Sequence, residues 1–346
     1  MKIIVDAMGG DNAPQAPVMG ALQANKEYGV SVTLVGRGEE ILKVLEENNI
    51  KDLPVGVEIA HASEVVEMCD NPATAFREKR DSSLTVGLNL LKSGEGDAFV
   101  SAGSTGALLA GATLVVKRIH GIRRAALAPV IPTAGGGAVL IDCGANAECP
   151  PEYLLQFAYM GSYYAEHVLG RPEPKVGLLN IGVEPSKGTS LQTAVYPMLK
   201  AAGEAGRINF VGNVEAREAM EGAADVIVAD GYSGNIFLKS MEGTALYLVK
   251  ELKGIFKQNF ITKLAAVMVS GGLKHLKKLL SSSEVGGTAL VGISKPVIKA
   301  HGSSDAYAIQ NAIRQAKQYV SSGIIESIAE NIEVMRLDSP ADKGEE

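Results

Sequence analysis

Seven short runs of apolar, largely β-branched residues recur along the chain, each closed by glycine or a small polar residue. They are Ile3–Val5, Val32–Val35, Ala98–Val100, Val139–Ile141, Val176–Leu179, Ile208–Val211 and Val226–Val228. Runs this short, bounded by turn residues, predict buried strands. Apolar positions at helical spacing follow most of them, and a helix near the end is marked by Ala308, Ile309, Ala312, Ile313 and Ala316. Repetition of strand, turn and helix predicts an α/β fold with a parallel-rich sheet flanked by helices. Right-handed crossovers put every such turn on one edge of the sheet, so these turn residues are expected to converge on a ligand crevice.

The uncharged stretch from Ala98 to Val116 has the length of a membrane span, but Ser101, Gly103, Ser104, Thr105 and Gly106 interrupt it. Strand, glycine turn and helix account for it better. At 346 residues the chain is read as a single α/β catalytic domain over 1–335 with a frayed, charged tail over 336–346. A formal charge of −6 argues against nucleic acid as a partner, because phosphate backbones demand clustered cations. Cys69, Cys143 and Cys149 form no CxxC pair, which suggests neither a disulfide framework nor a zinc site. Met1 leads straight into the first strand without the regions of a signal peptide, so a cytoplasmic location is expected.

Three runs carry candidate chemistry. In Ser101–Leu109 the residues Gly103, Ser104, Thr105 and Gly106 form a turn entering a helix, a suitable cradle for an anion. It lacks the lysine of a P-loop and the spacing of a dinucleotide fold. In Asn180–Thr189, Lys187 stands just beyond a strand and can meet a phosphate oxygen as a point charge. In Lys295–Asp305, Lys299, His301 and Ser303 occupy a glycine-bounded turn, where Ser303, Ser304 or Asp305 can also cap the following helix. Asp6, Asp11, Asp142 and Asp230 recur at strand ends. Without paired histidines or an acidic ladder they are read as acceptors for turn amides, and no metal is expected.

From Leu246 to Leu280 the composition changes. Seven lysines, including Lys257 and Lys263, face one acid, Glu251, and surround an apolar tip at Leu264, Val267 and Met268. This predicts a protruding amphipathic helical hairpin suited to an anionic membrane surface, to an acidic protein or to a second copy of the chain.

Taken together, Asp6–Asp11, Ser101–Ala107, Gly177–Gly182, Phe210–Arg217, Asp230–Asn235 and Lys299–Asp305 closely resemble the PlsX family of bacterial phosphate acyltransferases, from Met1 to about Gly323. The resemblance implies a Rossmann-like fold similar to isopropylmalate dehydrogenase, a homodimer, and transfer of a long-chain acyl group from acyl-acyl carrier protein to inorganic phosphate. No cofactor is implied. For that chemistry Lys187, His301 and Asn213 are the catalytic candidates, orienting phosphate and stabilising the oxyanion. Substrate contacts fall to Gly103, Ser104, Thr105, Gly106, Asn180, Asp230, Asn235, Lys299 and Ser303. With the basic, apolar-tipped hairpin as the exit for product, peripheral contact with the inner face of the cell membrane is expected, with a downstream membrane glycerol-phosphate acyltransferase as a candidate partner. His301 stands where the similar phosphotransacetylase segment has arginine, and Val285 where an aromatic residue is common. The rival readings are a nicotinamide-dependent dehydrogenase and a non-catalytic scaffold, and no site for adenine and ribose supports the first.

Overall fold

In the computed structural model the structure describes residues 1–273 and 286–335. Val285, the second leg of the expected hairpin from 274 to 280, and the tail 336–346 lie outside the described residues.

All seven runs are strands. Twelve strands occur among the described residues: β1 (Lys2–Asp6), β2 (Ser31–Gly36), β3 (Val57–His61), β4 (Ala98–Ser101), β5 (Ala126–Ala128), β6 (Val130–Ile131), β7 (Ala138–Ile141), β8 (Lys175–Asn180), β9 (Asn209–Glu215), β10 (Val226–Val228), β11 (Thr288–Val291) and β12 (Val297–Lys299). They divide between two sheets, ordered β3-β2-β1-β4-β12-β11-β5 and β6-β7-β10-β8-β9. The turns therefore do not share one sheet edge, as the crossover argument alone suggested. They lie on two edges, joined by the short passage through Pro129 from β5 into β6.

Pairing is parallel through β3-β2-β1-β4-β12 and through β7-β10-β8-β9. The central strands β4, β7 and β10 are buried at every position, as expected for parallel strands covered by helices on both faces. Helices Gln15–Tyr28 and Ala306–Ser321 pack closely on the first sheet, and a side chain at Gly20 would lie 2.6 Å from Ile309 Cβ. All five periodic positions of the later helix are buried.

The hairpin begins earlier than its composition indicated. Its first leg is a single helix, Gly231–Lys257, and it is followed by Phe260–Met268. Only Gly231 and Gly234 are buried in the first helix, and no residue is buried in the second. Leu246, Tyr247, Phe260, Ile261, Val267 and Met268 are all more than half exposed, so among the described residues the apolar face of this element has no cover. Among the described residues no helix is long and apolar enough to cross a membrane.

Candidate functional site

Three turns at the carboxyl edge of the first sheet are stitched into one floor. Asp6, buried at the end of β1, accepts a hydrogen bond from Ser101 Oγ at 2.7 Å and another from the Met8 amide at 3.1 Å. The Gly103 amide donates to the same Ser101 hydroxyl at 3.1 Å. Gly9 has to be glycine, because a Cβ there would lie 2.5 Å from Asp6 Oδ2 and 2.7 Å from the Gly103 nitrogen. The turn after β12 joins through the Asp11 amide, which donates to the Gly302 carbonyl at 2.8 Å. Asn12 donates to the carbonyls of Ser303 and Ser304, each at 3.1 Å.

Lys299 lies at the centre of this floor. Its ammonium donates to the Ala102 carbonyl at 3.2 Å and to the Ala300 carbonyl, which leaves one of three N–H groups. Only 8% of the residue is exposed, yet it borders the cavity described below. Burial pushes its pKa down to about 8, against the opposing pull of Asp6 and Asp11. Burial also pushes the Asp6 carboxyl up, with hydrogen bonds from Ser83 and Ser101 acting the other way.

The second sheet contributes a different construction. Asp142, fully buried after β7, accepts from the amides of Leu127 (2.9 Å), Ala145 (3.2 Å) and Asn146 (2.7 Å) and from Asn146 Nδ2 (3.0 Å). A carboxylate so saturated holds β5 and the Gly144–Asn146 turn together and has no capacity left for a ligand. Against this turn sits the start of the long helix, where a Cβ at Gly234 would lie 2.0 Å from the Asp142 carbonyl oxygen. Asp230 caps that helix, accepting from the Ser233 amide and hydroxyl at 2.8 Å each. These three aspartates serve turn amides and hydroxyls, as expected from their sequence setting.

Between the two sheet edges lies a cavity of about 530 Å³. Thr105, Lys299, His301 and Gly302 reach it from the first edge, and Cys143, Gly144, Asn235 and Lys239 from the second and its helix. Lys239, one turn beyond Asn235, pairs with Glu242 at 2.7 Å. Leu127, Pro129, Val130, Ile131 and Pro132 supply apolar lining from the β5–β6 passage, and Leu238, Met241 and Ala245 supply it from the helix. His301 Nδ1 accepts from the Ser303 amide at 3.3 Å and lies 2.9 Å from the Ser303 hydroxyl, so the ring proton sits on Nε2. Burial pushes the Cys143 thiol up, and that of Cys149 up to about 11, so neither is poised as a thiolate nucleophile.

The other sequence candidates fall in separate places. Gly103 and Ser104 are structural in the floor: Ser104 caps the helix Thr105–Gly111 through the Ala107 amide, and Gly106 packs on Pro72. Lys187, Asn180 and Asn213 do not line the cavity. They gather at the β8 turn, where Asn180 donates to the Lys187 carbonyl at 3.0 Å and Asn213 to the Glu184 carbonyl at 2.8 Å. Buried Asn213 Oδ1 has no partner among the described residues. Because β8 lies beside β10, this turn neighbours the start of the long helix. Ser303 is exposed and spent on His301. Lys257, Lys263, Leu264, Val267 and Met268 are exposed on the distal part of the hairpin. Lys239 and Glu242 escaped the sequence reading, although Lys239 falls four residues after Asn235 on a helix that Asp230 visibly caps.

The sequence matches the family described as "Fatty acid synthesis protein" over residues 1–327. A protein of Thermoanaerobacterium thermosaccharolyticum named phosphate acyltransferase is 45% identical over 99% of this chain and 100% of its own. One of the same name from Alkaliphilus oremlandii is 48% identical over 96% of this chain and 97% of its own. Among solved structures, the EutD phosphotransacetylase from Staphylococcus aureus superposes with a TM-score of 0.59 at 17% identity, covering 92% of this chain and 94% of that one, which shows a shared fold.

Proposed function

We propose, on the premise that this chain belongs to the family of fatty acid synthesis proteins, that it is a phosphate acyltransferase moving a long-chain acyl group from acyl-acyl carrier protein to inorganic phosphate. The product is an acyl phosphate destined for phospholipid synthesis. The observation that carries this reading is one cavity joining two lysines, an amide and a hydroxyl to an extended apolar lining. That combination suits a substrate with an anionic head and an alkyl tail.

The reaction needs no covalent enzyme intermediate. A phosphate oxygen attacks the thioester carbonyl carbon, a C–O bond forms, and negative charge collects on the carbonyl oxygen. Collapse breaks the C–S bond, and the thiolate leaves on the carrier protein and takes a proton from water. With a thiol pKa of roughly 8.5 the leaving group asks for little acid assistance. The site has therefore to orient and to stabilise charge. The last N–H of Lys299, the Lys239 ammonium, Asn235 and Thr105 hold phosphate and the developing oxyanion. His301 turns its Nε2–H toward phosphate and acts in orientation.

Lys187 supplies a further cation from the neighbouring turn, where Asn180 and Asn213 fix its backbone. Residues 1–335 work as one catalytic unit. The uncovered apolar face of the long helix receives a second copy of the chain. The tip at Leu264, Val267 and Met268, flanked by Lys257 and Lys263, rests in the headgroup region of an anionic membrane on its cytoplasmic side. There the product passes to a glycerol-phosphate acyltransferase in that membrane. The test is direct: purified protein, acyl-acyl carrier protein and phosphate are mixed, and acyl phosphate and free carrier protein are measured. No release dependent on phosphate would refute the assignment.

A further inference from the structure

Between Asp97 and Asp142 the sequence contains no acidic residue, yet the loop 117–124 within that stretch carries Lys117, Arg118, His120, Arg123 and Arg124. All five side chains are exposed, and among the described residues none forms an ion pair. On a chain of net charge −6, such a patch opposes the field of the whole molecule.

The loop is held as a rigid platform. Its two apolar residues, Ile119 and Ile122, are buried beneath it. The Ile119 amide donates to the Gly292 carbonyl at 3.0 Å, and the Ser294 amide to the Lys117 carbonyl at 2.9 Å. Gln156 braces it twice, accepting from the Arg123 amide at 2.8 Å and donating to the Gly121 carbonyl at 3.1 Å. Gly121 takes φ +89°, and a Cβ there would lie 2.3 Å from Ile332 Cγ1. Arg124 is steadied over the Tyr153 ring at 5.9 Å. Cations on a fixed backbone suit recognition of another folded surface. A membrane-inserting segment would show apolar side chains outward, and here they point inward.

We propose that loop 117–124 is the docking surface for the acyl carrier protein, engaged through an acidic face of that partner. The proposal rests on the acyltransferase reading and adds the place where the donor protein lands. Arg124 is followed by Ala125 and β5, so the patch leads into the strand that lines the cavity at Leu127. Two residues, Ala125 and Ala126, separate Arg124 from Leu127, a span of about 10 Å of chain at a strand's rise per residue.

The experiment compares two donors of one acyl chain, acyl-acyl carrier protein and the acyl N-acetylcysteamine thioester, in wild type, Arg123→Glu/Arg124→Glu and the milder Arg123→Gln/Arg124→Gln. Thermal unfolding identifies any variant that fails to fold, and the Gln pair then carries the test. Docking predicts that KM for the protein donor rises about tenfold or more, that its salt dependence becomes shallower, and that turnover of the small thioester is unchanged. An unchanged KM for the protein donor would overturn the proposal. So would an equal loss with both donors, which would place the loop's effect inside the cavity. Loss of flotation with phosphatidylglycerol vesicles alongside an unchanged KM would mark a membrane contact and overturn it too. If wild type turns over neither donor, the acyltransferase reading fails. Fluorescence titration with carrier protein then decides docking, with binding by wild type and none by the charge-reversed pair as the supporting result.

Discussion

Replacing Lys299 with methionine separates charge from shape at the centre of the floor. Burial holds its ammonium down at about 8 against an ordinary 10.5. At about 1.4 kcal/mol per pKa unit, the charged form is held at a penalty of about 3 kcal/mol. Methionine removes that penalty but leaves the carbonyls of Ala102 and Ala300 without their donor, each a loss of about 1–3 kcal/mol. The two losses together bracket the penalty, so Lys299→Met should fall between about 1 kcal/mol more stable and about 3 kcal/mol less stable than wild type. Phosphate binding has no such compensation. Losing a charge-assisted hydrogen bond of about 1.5–3 kcal/mol should raise KM for phosphate about ten- to a hundredfold, read from carrier-protein release at varied phosphate.

The pH dependence sharpens the test. As pH rises through about 8 the folded protein loses the Lys299 proton, and KM for phosphate should climb. Between about 8 and 10.5 the unfolded chain still holds that proton, so this group's contribution to stability increases with pH. Phosphate affinity and this stability contribution thus move in opposite directions, whereas general alkaline unfolding would lower both. A phosphate KM in wild type that is flat across about pH 7 to 9.5, or a Lys299→Met variant with wild-type KM, refutes the role.

Lys187→Ala and His301→Ala should each lower phosphate-dependent turnover by about tenfold or more with unfolding unchanged, and full activity in both would remove them from the site. Within the long helix, Gly234→Ala should destabilise by about 1–3 kcal/mol through its clash with the Asp142 carbonyl. Gly254→Ala, with nothing within 4 Å of the added carbon, should instead stabilise by up to about 1 kcal/mol; chemical denaturation compares the pair. The double variant Val267→Glu/Met268→Glu should lose flotation with anionic vesicles, and unchanged flotation would remove the tip from the membrane.

Local chemistry was legible in the sequence because it depends on neighbours in the chain. The seven apolar runs, the cap at Asp305 and the period of the helix Ala306–Ser321 all follow from local pattern. Crossover handedness assigns a turn to the carboxyl edge of its sheet, but it does not say which sheet a strand joins. The division into two sheets runs through a passage of a few residues at Pro129, too short to leave a periodic signature. Strands β11 and β12 are equally brief, and exposed positions on β3 blur its alternation. The burial of Lys299 between Asp6 and Asp11 joins residues nearly 300 positions apart, which no local pattern encodes. Lys239 was hidden for the opposite reason: on a helix rich in lysine it looks like one more solvated charge.

The long helix is fixed at its root, packs on the core as far as Met241, and is largely exposed beyond that among the described residues. Its root is wedged against the Asp142 turn by Gly231 and Gly234, and its 27 residues extend about 40 Å. Mechanically it is a cantilever. A tilt of about 5° at the root displaces the far end by about 3–4 Å. Asn235 and Lys239 stand in the first two turns, where that motion is smallest, so the ligand-facing groups keep their geometry while the distal face shifts. The lever arm alone sets this asymmetry: small changes of angle at the root are amplified toward the tip and nearly vanish at the cavity.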